Sequence, residues 1–379
     1  MYRNSPAWLL DCITTSTKST AKFEQAQSAG QLLATAVVSS KGCWQNSTLI
    51  PEQFVSSHGI LLFCNRIRRA YRIQNCLEHT LSGVTVQHFF DPVTSTLTYV
   101  ASDPESGHCV VIDPVMDLDY ASGTITTHSV DQLIDYIEAE DLTLELILET
   151  HIHADHLSSA PYLQNRLGGK IGIGARITAI QATFAEIFDE DEGFNRDGSQ
   201  FDLILADGDR FHVGELIGEA FYVPGHTPAC MAYRIGDALF VGDTLFMPDA
   251  GTARCDFPGG DANALYQSCR KLLALPDATR VYVCHDYQPA GRPLAYVSTV
   301  AQQRQNNIHI GRGISEDEFV AMREARDATL GMPMLMLPSL QINMRAGYLP
   351  PINGNGRIFL KVPINAFGGL DVSPLAEAE

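Results

Sequence analysis

Four times in this chain a short apolar run ends in Gly, Pro, Asp or Thr punctuation and then delivers a side chain suited to holding metal. Leu142 to Leu148 runs into His151, His153, Asp155 and His156. Ala220 to Val223 runs into Pro224-Gly225-His226, Ala238 to Val241 into Gly242-Asp243, and Val281 to Cys284 into His285. Imidazole and carboxylate are the side chains that suit zinc or non-haem iron, and a strand end is where the backbone can bend them around one centre. A single histidine after a strand is ordinarily a hydrogen-bonded loop residue, and a Gly-Asp pair is ordinarily a turn. The inference rests on the order and shared context of the set. Together these positions suffice for one complete metal site or two adjacent ones.

Strands and helices alternate around these positions. Val86–Phe90, Thr96–Val100 and Cys109–Ile112 have strand character and are divided by Asp91-Pro92, Asp103–Gly107 and Asp113-Pro114, which implies a hairpin-rich opening sheet. A helix opens at His128 with Val130, Leu133, Ile134 and Ile137 on its apolar face. A second helix is expected over Leu157–Leu167, stopped by Gly168-Gly169. The alternation continues to His285 and gives an α/β chain. His88, His108, His128, His212 and His309 fall outside the pattern and are assigned to surface or loop positions.

A chain of 379 residues can bury a sizeable core. A net charge of −18 argues against a nucleic-acid partner. The nine cysteines are odd in number and lack C-x-x-C spacing, so neither a disulfide framework nor a zinc knuckle is expected. Cys230 and Cys255 fall near the proposed centre and are read as buried spectators. No run approaches ~18 consecutive apolar residues, so a membrane-spanning helix is not expected.

The first 80 or so residues carry eight Lys or Arg against four acids, leaving the remainder strongly acidic. They are rich in Ser and Thr and contain the basic run Arg66-Ile-Arg-Arg69. Residues 1–83 are therefore expected to be an extension, weakly ordered or targeting-like, although Asp11 and Glu24 fall early for a presequence. A cytoplasmic location suits the reduced cysteines, and a mitochondrial one suits this basic start if the source is eukaryotic.

The order H-x-H-x-D-H, then His, Asp and His, resembles the signature of the metallo-β-lactamase-fold superfamily over roughly residues 86–350. The finer wording resembles the persulfide dioxygenases, the ETHE1-like group. It lies in T-H-I-H-A-D-H-L-S-S-A at 150–160, P-G-H-T-P-A-C at 224–230, G-D-T-L-F at 242–246, G-T-A-R-C-D-F at 251–257, H-D-Y at 285–287 and I-N-M-R-A-G at 342–347. The resemblance implies an αββα sandwich, two mixed sheets packed face to face with helices outside. It places the catalytic domain at 84–350 and leaves 351–379 as a C-terminal tail. It further implies one Fe(II) per chain, held by His151, His226 and Asp243, with His153, Asp155, His156 and His285 arranged around them or holding a second metal. The substrates it implies are glutathione persulfide, or a related thiol compound, and O₂, with sulfite and free thiol as products, as in sulfide detoxification. Arg254 matches a glutathione-binding arginine and Tyr287 a tyrosine beside the iron. Ala346 stands where some members of the group have a cysteine, so thiol chemistry is absent there.

The rival is a hydrolase of the glyoxalase II type, which shares the fold and the metal signature and cleaves glutathione thioesters with zinc or a mixed binuclear metal. Cys230, where glyoxalase-like enzymes tend to place a histidine, and the Arg254–Phe257 segment favour the dioxygenase. The fold often self-associates, and the apolar stretch Met332–Leu340 is a candidate contribution to a homo-oligomer. The acidic end Pro374–Glu379 is expected to be dispensable.

Overall fold

Alternation with a period of two sorts the strand Thr96–Ser102 onto opposite faces of a sheet. Leu97, Tyr99 and Ala101 enter one apolar cluster and Val100 enters another. The computed structural model describes residues 83–369 of the chain, and before them two short antiparallel pairs, Leu33–Thr35 with Thr48–Ile50 and Val38–Ser39 with Gly42–Cys43. Contacts divide the chain into Met1–Leu81 and Ser82–Glu379. The expected weakly ordered or targeting-like start lies outside the described residues, as does the acidic end Pro374–Glu379. Among the described residues no helix is long and apolar enough to cross a membrane.

The first large sheet uses β1 (Thr85–Asp91), β2 (Thr96–Ser102), β3 (His108–Ile112), β6 (Thr143–Leu148), β8 (Lys170–Gly174) and β9 (Leu203–Leu205), in the order β9-β8-β6-β3-β2-β1. β3, β6, β8 and β9 are parallel neighbours, and β1 and β2 add an antiparallel hairpin. The register of β6 against β3 shifts between Leu144 and Leu146. This bulge puts Leu144 on the helix side while Leu146 and Leu148 face the other sheet. A small sheet of β4 (Val115–Asp119), β5 (Thr124–Thr126) and β7 (Leu157–Ser158) lies between these strands in sequence.

The second large sheet follows in chain order: β10 (Arg210–Val213), β11 (Leu216–Tyr222), β12 (Met231–Ile235), β13 (Ala238–Phe240), β14 (Arg280–Tyr282) and β15 (Val297–Thr299). Its strands are antiparallel except for the parallel pair β13–β14. The turn Ala206–Asp209 therefore separates the strands of one sheet from those of the other.

The two sheets bury Leu97, Tyr99, Val110 and Ile112 against Ala220, Tyr233, Phe240 and Val281. The outer face of the first sheet, with Val100, Val111, Ile147 and Ile173, is covered by α1 (His128–Ala139), α2 (Ala160–Leu167), α3 (Ile177–Ile187) and α7 (Met336–Asn343). Leu265, Cys269 and Leu272 of α4 (Ala262–Leu272) and Phe319 of α6 (Glu316–Asp327) extend the core beyond the second sheet, near α5 (Val300–Asn306). This is the expected αββα sandwich. Val130, Leu133, Ile134 and Ile137 are the buried residues of α1, as its periodicity requires.

One element differs from expectation. Leu157–Ser158 is a strand paired with Val115–Met116, and the helix begins only at Ala160, with Pro161 in its first turn, where a missing N–H costs nothing. Ser158 is drawn out of the helix because its N–H donates to Asn343 Oδ1 across 2.8 Å. His309 is also not a surface residue. It is buried, and its Nδ1 accepts from the backbone N–H of Thr252 at 3.0 Å.

Candidate metal centre

Asp113 closes β3 in the left-handed region, with φ of 50°, a conformation that aspartate tolerates better than most residues. Its carboxylate accepts from the N–H of Thr150 at 2.7 Å and from the Thr150 hydroxyl at 2.9 Å, which ties the end of β6 to the end of β3. The loop that follows alternates. His151 and His153 lie among the other histidines, while Ile152 and Ala154 pack into the helix-side cluster. The second sheet supplies the remaining groups. A Cβ at Gly225 would meet Leu265 at 2.4 Å, and one at Gly242 would meet Thr150 Oγ1 at 2.6 Å, so glycine is what lets His226 and Asp243 approach so closely. The N–H of Leu97 donates to Cys284 O across 2.7 Å, which fixes His285 beside β2.

All seven predicted ligand-type residues converge. His151, His226 and Asp243 present ligand atoms within 4.8 Å of one another, as do His153, Asp155 and His156, and Asp243 with His285 and Cys284. His226 Nε2 lies 3.6 Å and His151 Nε2 3.9 Å from Asp243 Oδ2, and His285 Nε2 lies 3.4 Å from Oδ1.

Each histidine has one ring nitrogen tied to an outer partner, which fixes its tautomer. The Thr150 hydroxyl spends its proton on Asp113 and so accepts from His151 Nδ1 at 3.0 Å. Nδ1 of His226 donates to Arg254 O at 2.8 Å, and that of His285 to Ser95 O at 3.3 Å. Nδ1 of His156 faces Asp155 at 2.9 Å, and Nε2 of His153 faces Asp113 at 2.9 Å. The opposite nitrogens of His151, His153 and His156, together with Asp243 Oδ1, are buried without a hydrogen-bond partner. Buried polar atoms are rarely left unpaired, and His151 Nε2, His156 Nε2 and Asp243 Oδ1 are atoms that a cation would satisfy. The residues present therefore fit a metal.

Charge is arranged to match. Burial, reinforced by His153 and His226, holds His151 well below the usual imidazole range, so its ring is neutral, the form that can bind a metal. Burial pushes Asp155 up, but His285 and His156 overcome it and hold the carboxylate well below its usual range. Burial likewise opposes charge on His153, where Asp113 and Glu149 win and raise it. The Cys230 thiol is pushed up to about 12 by burial and lies 3.0 Å from the Thr227 hydroxyl, an unreactive spectator.

The walls come from segments the sequence singled out. The Phe257 ring lies 5.3 Å from that of His226, and the Arg254 guanidinium sits 4.8 Å above Phe257. Arg254 is paired with Asp256 through Nε and Nη2 and donates through Nη1 to Gly331 O at 2.6 Å. Tyr287 stacks on His285 at 5.6 Å with an interplanar angle of 14°, yet is 57% exposed. Behind the ligand loop, Ile152, Ala154, Ile180, Phe184, Phe257 and Met336 line a small apolar pocket that reaches His226.

Three supports were not legible in the sequence. Asn343, in the I-N-M-R-A-G run, donates to His153 O at 2.9 Å and His156 O at 2.8 Å while accepting from Ser158, and so clasps the ligand loop from α7. Asp113-Pro114 has only the local signature of a turn, yet Asp113 binds Thr150 and His153. Arg323 and Asp327, a buried ion pair on α6, bind Thr252 O and Cys255 N and so brace the Arg254 segment.

The pattern of the Metallo-beta-lactamase superfamily matches residues 91–285, which span the whole ligand set. The chain belongs to the metallo-beta-lactamase superfamily. Within the superfamily it is 55% identical over 293 residues to a probable metallo-hydrolase of Burkholderia pseudomallei, covering 75% of this chain and 100% of that protein. It is 45% identical to glyoxylase B2 of Dictyostelium discoideum, with 74% and 97% covered. It is 30% identical to the mitochondrial persulfide dioxygenase ETHE1 of Mus musculus, with 72% and 94% covered. Among solved structures, ETHE1 from Myxococcus xanthus superposes with a TM-score of 0.56 at 28% identity, covering 70% of this chain and all of that one. As a superfamily member this chain is an enzyme with metal-binding His and Asp side chains.

Proposed function

We propose that the chain is an iron-dependent persulfide dioxygenase acting on glutathione persulfide or a similar low-molecular-weight persulfide. The observation that carries this reading is the segment Gly251–Phe257. Its wording distinguishes the dioxygenases, and here it forms a wall of the centre, with Arg254 O holding His226 and Phe257 packed on the same ring. In this reading His151, His226 and Asp243 would hold Fe(II), and a two-histidine, one-carboxylate set suits an iron that would supply the oxygenase chemistry. The overall change is RSSH + O₂ + H₂O → RSH + SO₃²⁻ + 2 H⁺. The outer sulfur is oxidised, both atoms of O₂ are reduced, and the S–S bond breaks to release the thiol.

The chain's own groups orient and shield. A guanidinium carries five N–H groups, and Arg254 spends three on Asp256 and Gly331, leaving two for a glutathione carboxylate. Asp256 keeps the guanidinium plane fixed, so little side-chain entropy is lost on binding. Tyr287, stacked on His285, presents a phenol that desolvation, followed by the Asp243 and Asp155 carboxylates, keeps protonated, a hydrogen-bond donor for an oxygen or sulfur atom. His153, Asp155, His156 and His285 set ligand orientation through their outer hydrogen bonds.

The second reading is a binuclear thioester hydrolase. It is favoured by the unpaired His156 Nε2 beside Asp155 and by the names of the more similar relatives. One experiment separates the two: iron and zinc per chain in protein purified without added metal, with O₂ uptake on glutathione persulfide assayed beside hydrolysis of S-lactoylglutathione. About one iron and persulfide-dependent O₂ uptake is the expected result. Two metals per chain with thioester cleavage and no O₂ uptake would replace the dioxygenase with the hydrolase.

A further inference from the structure

The ligand loop has a second face. His151 and His153 lie among the other histidines, while Ile152 and Ala154, which alternate with them, pack into the helix-side cluster. Behind these two lies a cavity of about 20 Å³, closed by Ile180 and Phe184 of α3, Met336 and Leu340 of α7, and Phe257. Each of these apolar side chains belongs to a residue at least nine-tenths buried. His226 also stands in the wall. Its ring borders the cavity, and its Nε2 lies 3.6 Å from Asp243 Oδ2 in the converging set.

Such a cavity stays dry. A buried water needs roughly 10–15 Å³ of space and two to four polar partners. The space is present, but the partners are taken. The polar side chains in the wall are those of His226 and Thr227. His226 Nδ1 is engaged by Arg254 O at 2.8 Å, and the Thr227 hydroxyl by Cys230 Sγ at 3.0 Å and the N–H of Ala229 at 3.2 Å. A small apolar molecule loses nothing by entering and leaves water behind.

Size and position select which molecule. Room for one molecule of about the size of water excludes a glutathione chain, and Arg254 and Tyr287, proposed to meet the sulfur substrate, are absent from the wall. Given the dioxygenase reading, on which this rests, we propose that the cavity is an O₂ subsite that draws the gas from solution and holds it against the His226 ring. The two reactants then wait in separate places, and the charged persulfide does not compete for the apolar one. Met336, unbranched and flexible, is the part of the wall that yields as the gas enters.

Crystals of the metal-loaded full chain pressurised with krypton, an apolar atom close to O₂ in size, test the site without any turnover. Krypton density bounded by Ile180, Met336 and His226 is expected. Kinetics with O₂ as the varied substrate test its use. Ile180→Phe and Met336→Phe fill the cavity and leave every proposed metal and substrate group in place. Each should raise the KM for O₂ about tenfold, the scale of burying one or two methylene-sized groups, with iron content and the KM for glutathione persulfide unchanged. Thermal unfolding reports overpacking in either variant. Inhibition of the wild type by krypton, competitive with O₂ and not with persulfide, is also expected and serves if both variants misfold. An empty cavity under krypton, or folded, iron-loaded variants with an unaltered KM for O₂, overturns the subsite and leaves the dioxygenase standing. A wild-type chain that takes up no O₂ with persulfide overturns both, whatever krypton does.

Discussion

Nδ1 of His226 donates to the backbone carbonyl of Arg254 across 2.8 Å. The residue proposed to hold metal and the residue proposed to hold substrate are therefore joined through the main chain. Mutation of the Arg254 side chain leaves this bond in place, so the two roles can be tested separately.

Replacing Arg254 by Ala is expected to raise the apparent KM for a glutathione-based substrate about 10–100-fold, as suits loss of a hydrogen bond to a charged group worth roughly 1.5–3 kcal/mol. Metal content should stay unchanged. Arg254→Lys should recover only part of the loss, since an ammonium cannot reproduce the fork paired with Asp256. Steady-state kinetics with metal analysis checks this, and an unaltered KM would leave Arg254 as a structural partner of Asp256.

His226→Ala and Asp243→Asn are each expected to lose bound iron and O₂ uptake together, because each removes one of the atoms converging within 4.8 Å. Elemental analysis of the purified variants decides. Full iron occupancy in either would remove that residue from the ligand set.

Asn343→Leu keeps the branched shape and removes three hydrogen bonds, stranding the His153 and His156 carbonyls and the Ser158 N–H in a buried position. Metal affinity should fall about 10–100-fold, as is typical when an outer support is lost, with a stability cost of roughly 2–4 kcal/mol. Chelator competition and thermal unfolding measure the two effects. Wild-type affinity in a destabilised variant would make Asn343 a folding residue only.

His309 sets an acid limit on stability. Burial, helped by Arg323 and Arg326, lowers it from 6.5 to about 4. Between those values the unfolded chain takes up a proton that the folded chain refuses. The contribution of His309 is therefore complete above pH 6.5 and is lost as pH falls toward about 4. His309→Gln should flatten that part of the denaturation-midpoint profile, and an unchanged acid slope would show that other groups set it.

The fold and the candidate metal-binding side chains were legible because both are written in local sequence. Period-two alternation marks Thr96–Ser102, period 3.6 marks the buried face of α1, and the candidate metal-binding residues follow strand ends. What was not legible depends on distant partners. Ser158 leaves the expected helix because Asn343, 185 residues later, takes its N–H. His309 is buried because Gly251 leaves no side chain in its way; a Cβ there would meet its ring at 2.1 Å. Asp113 has the local signature of a turn, and only tertiary contact makes it the anchor of Thr150, His151 and His153. Such roles have no period and no spacing.

The turn at Ala206–Asp209 has a consequence for how the centre comes into being. Every histidine and aspartate of the H-x-H-x-D-H run precedes that turn, and His226, Asp243 and His285 follow it. Severed there, the chain would give two polypeptides that each carry half a cage, although α7 on the second would still have to reach back to clasp the first. Metal would then report the reunion of the fragments, because an ion bound by groups from both halves exists only where the halves have met.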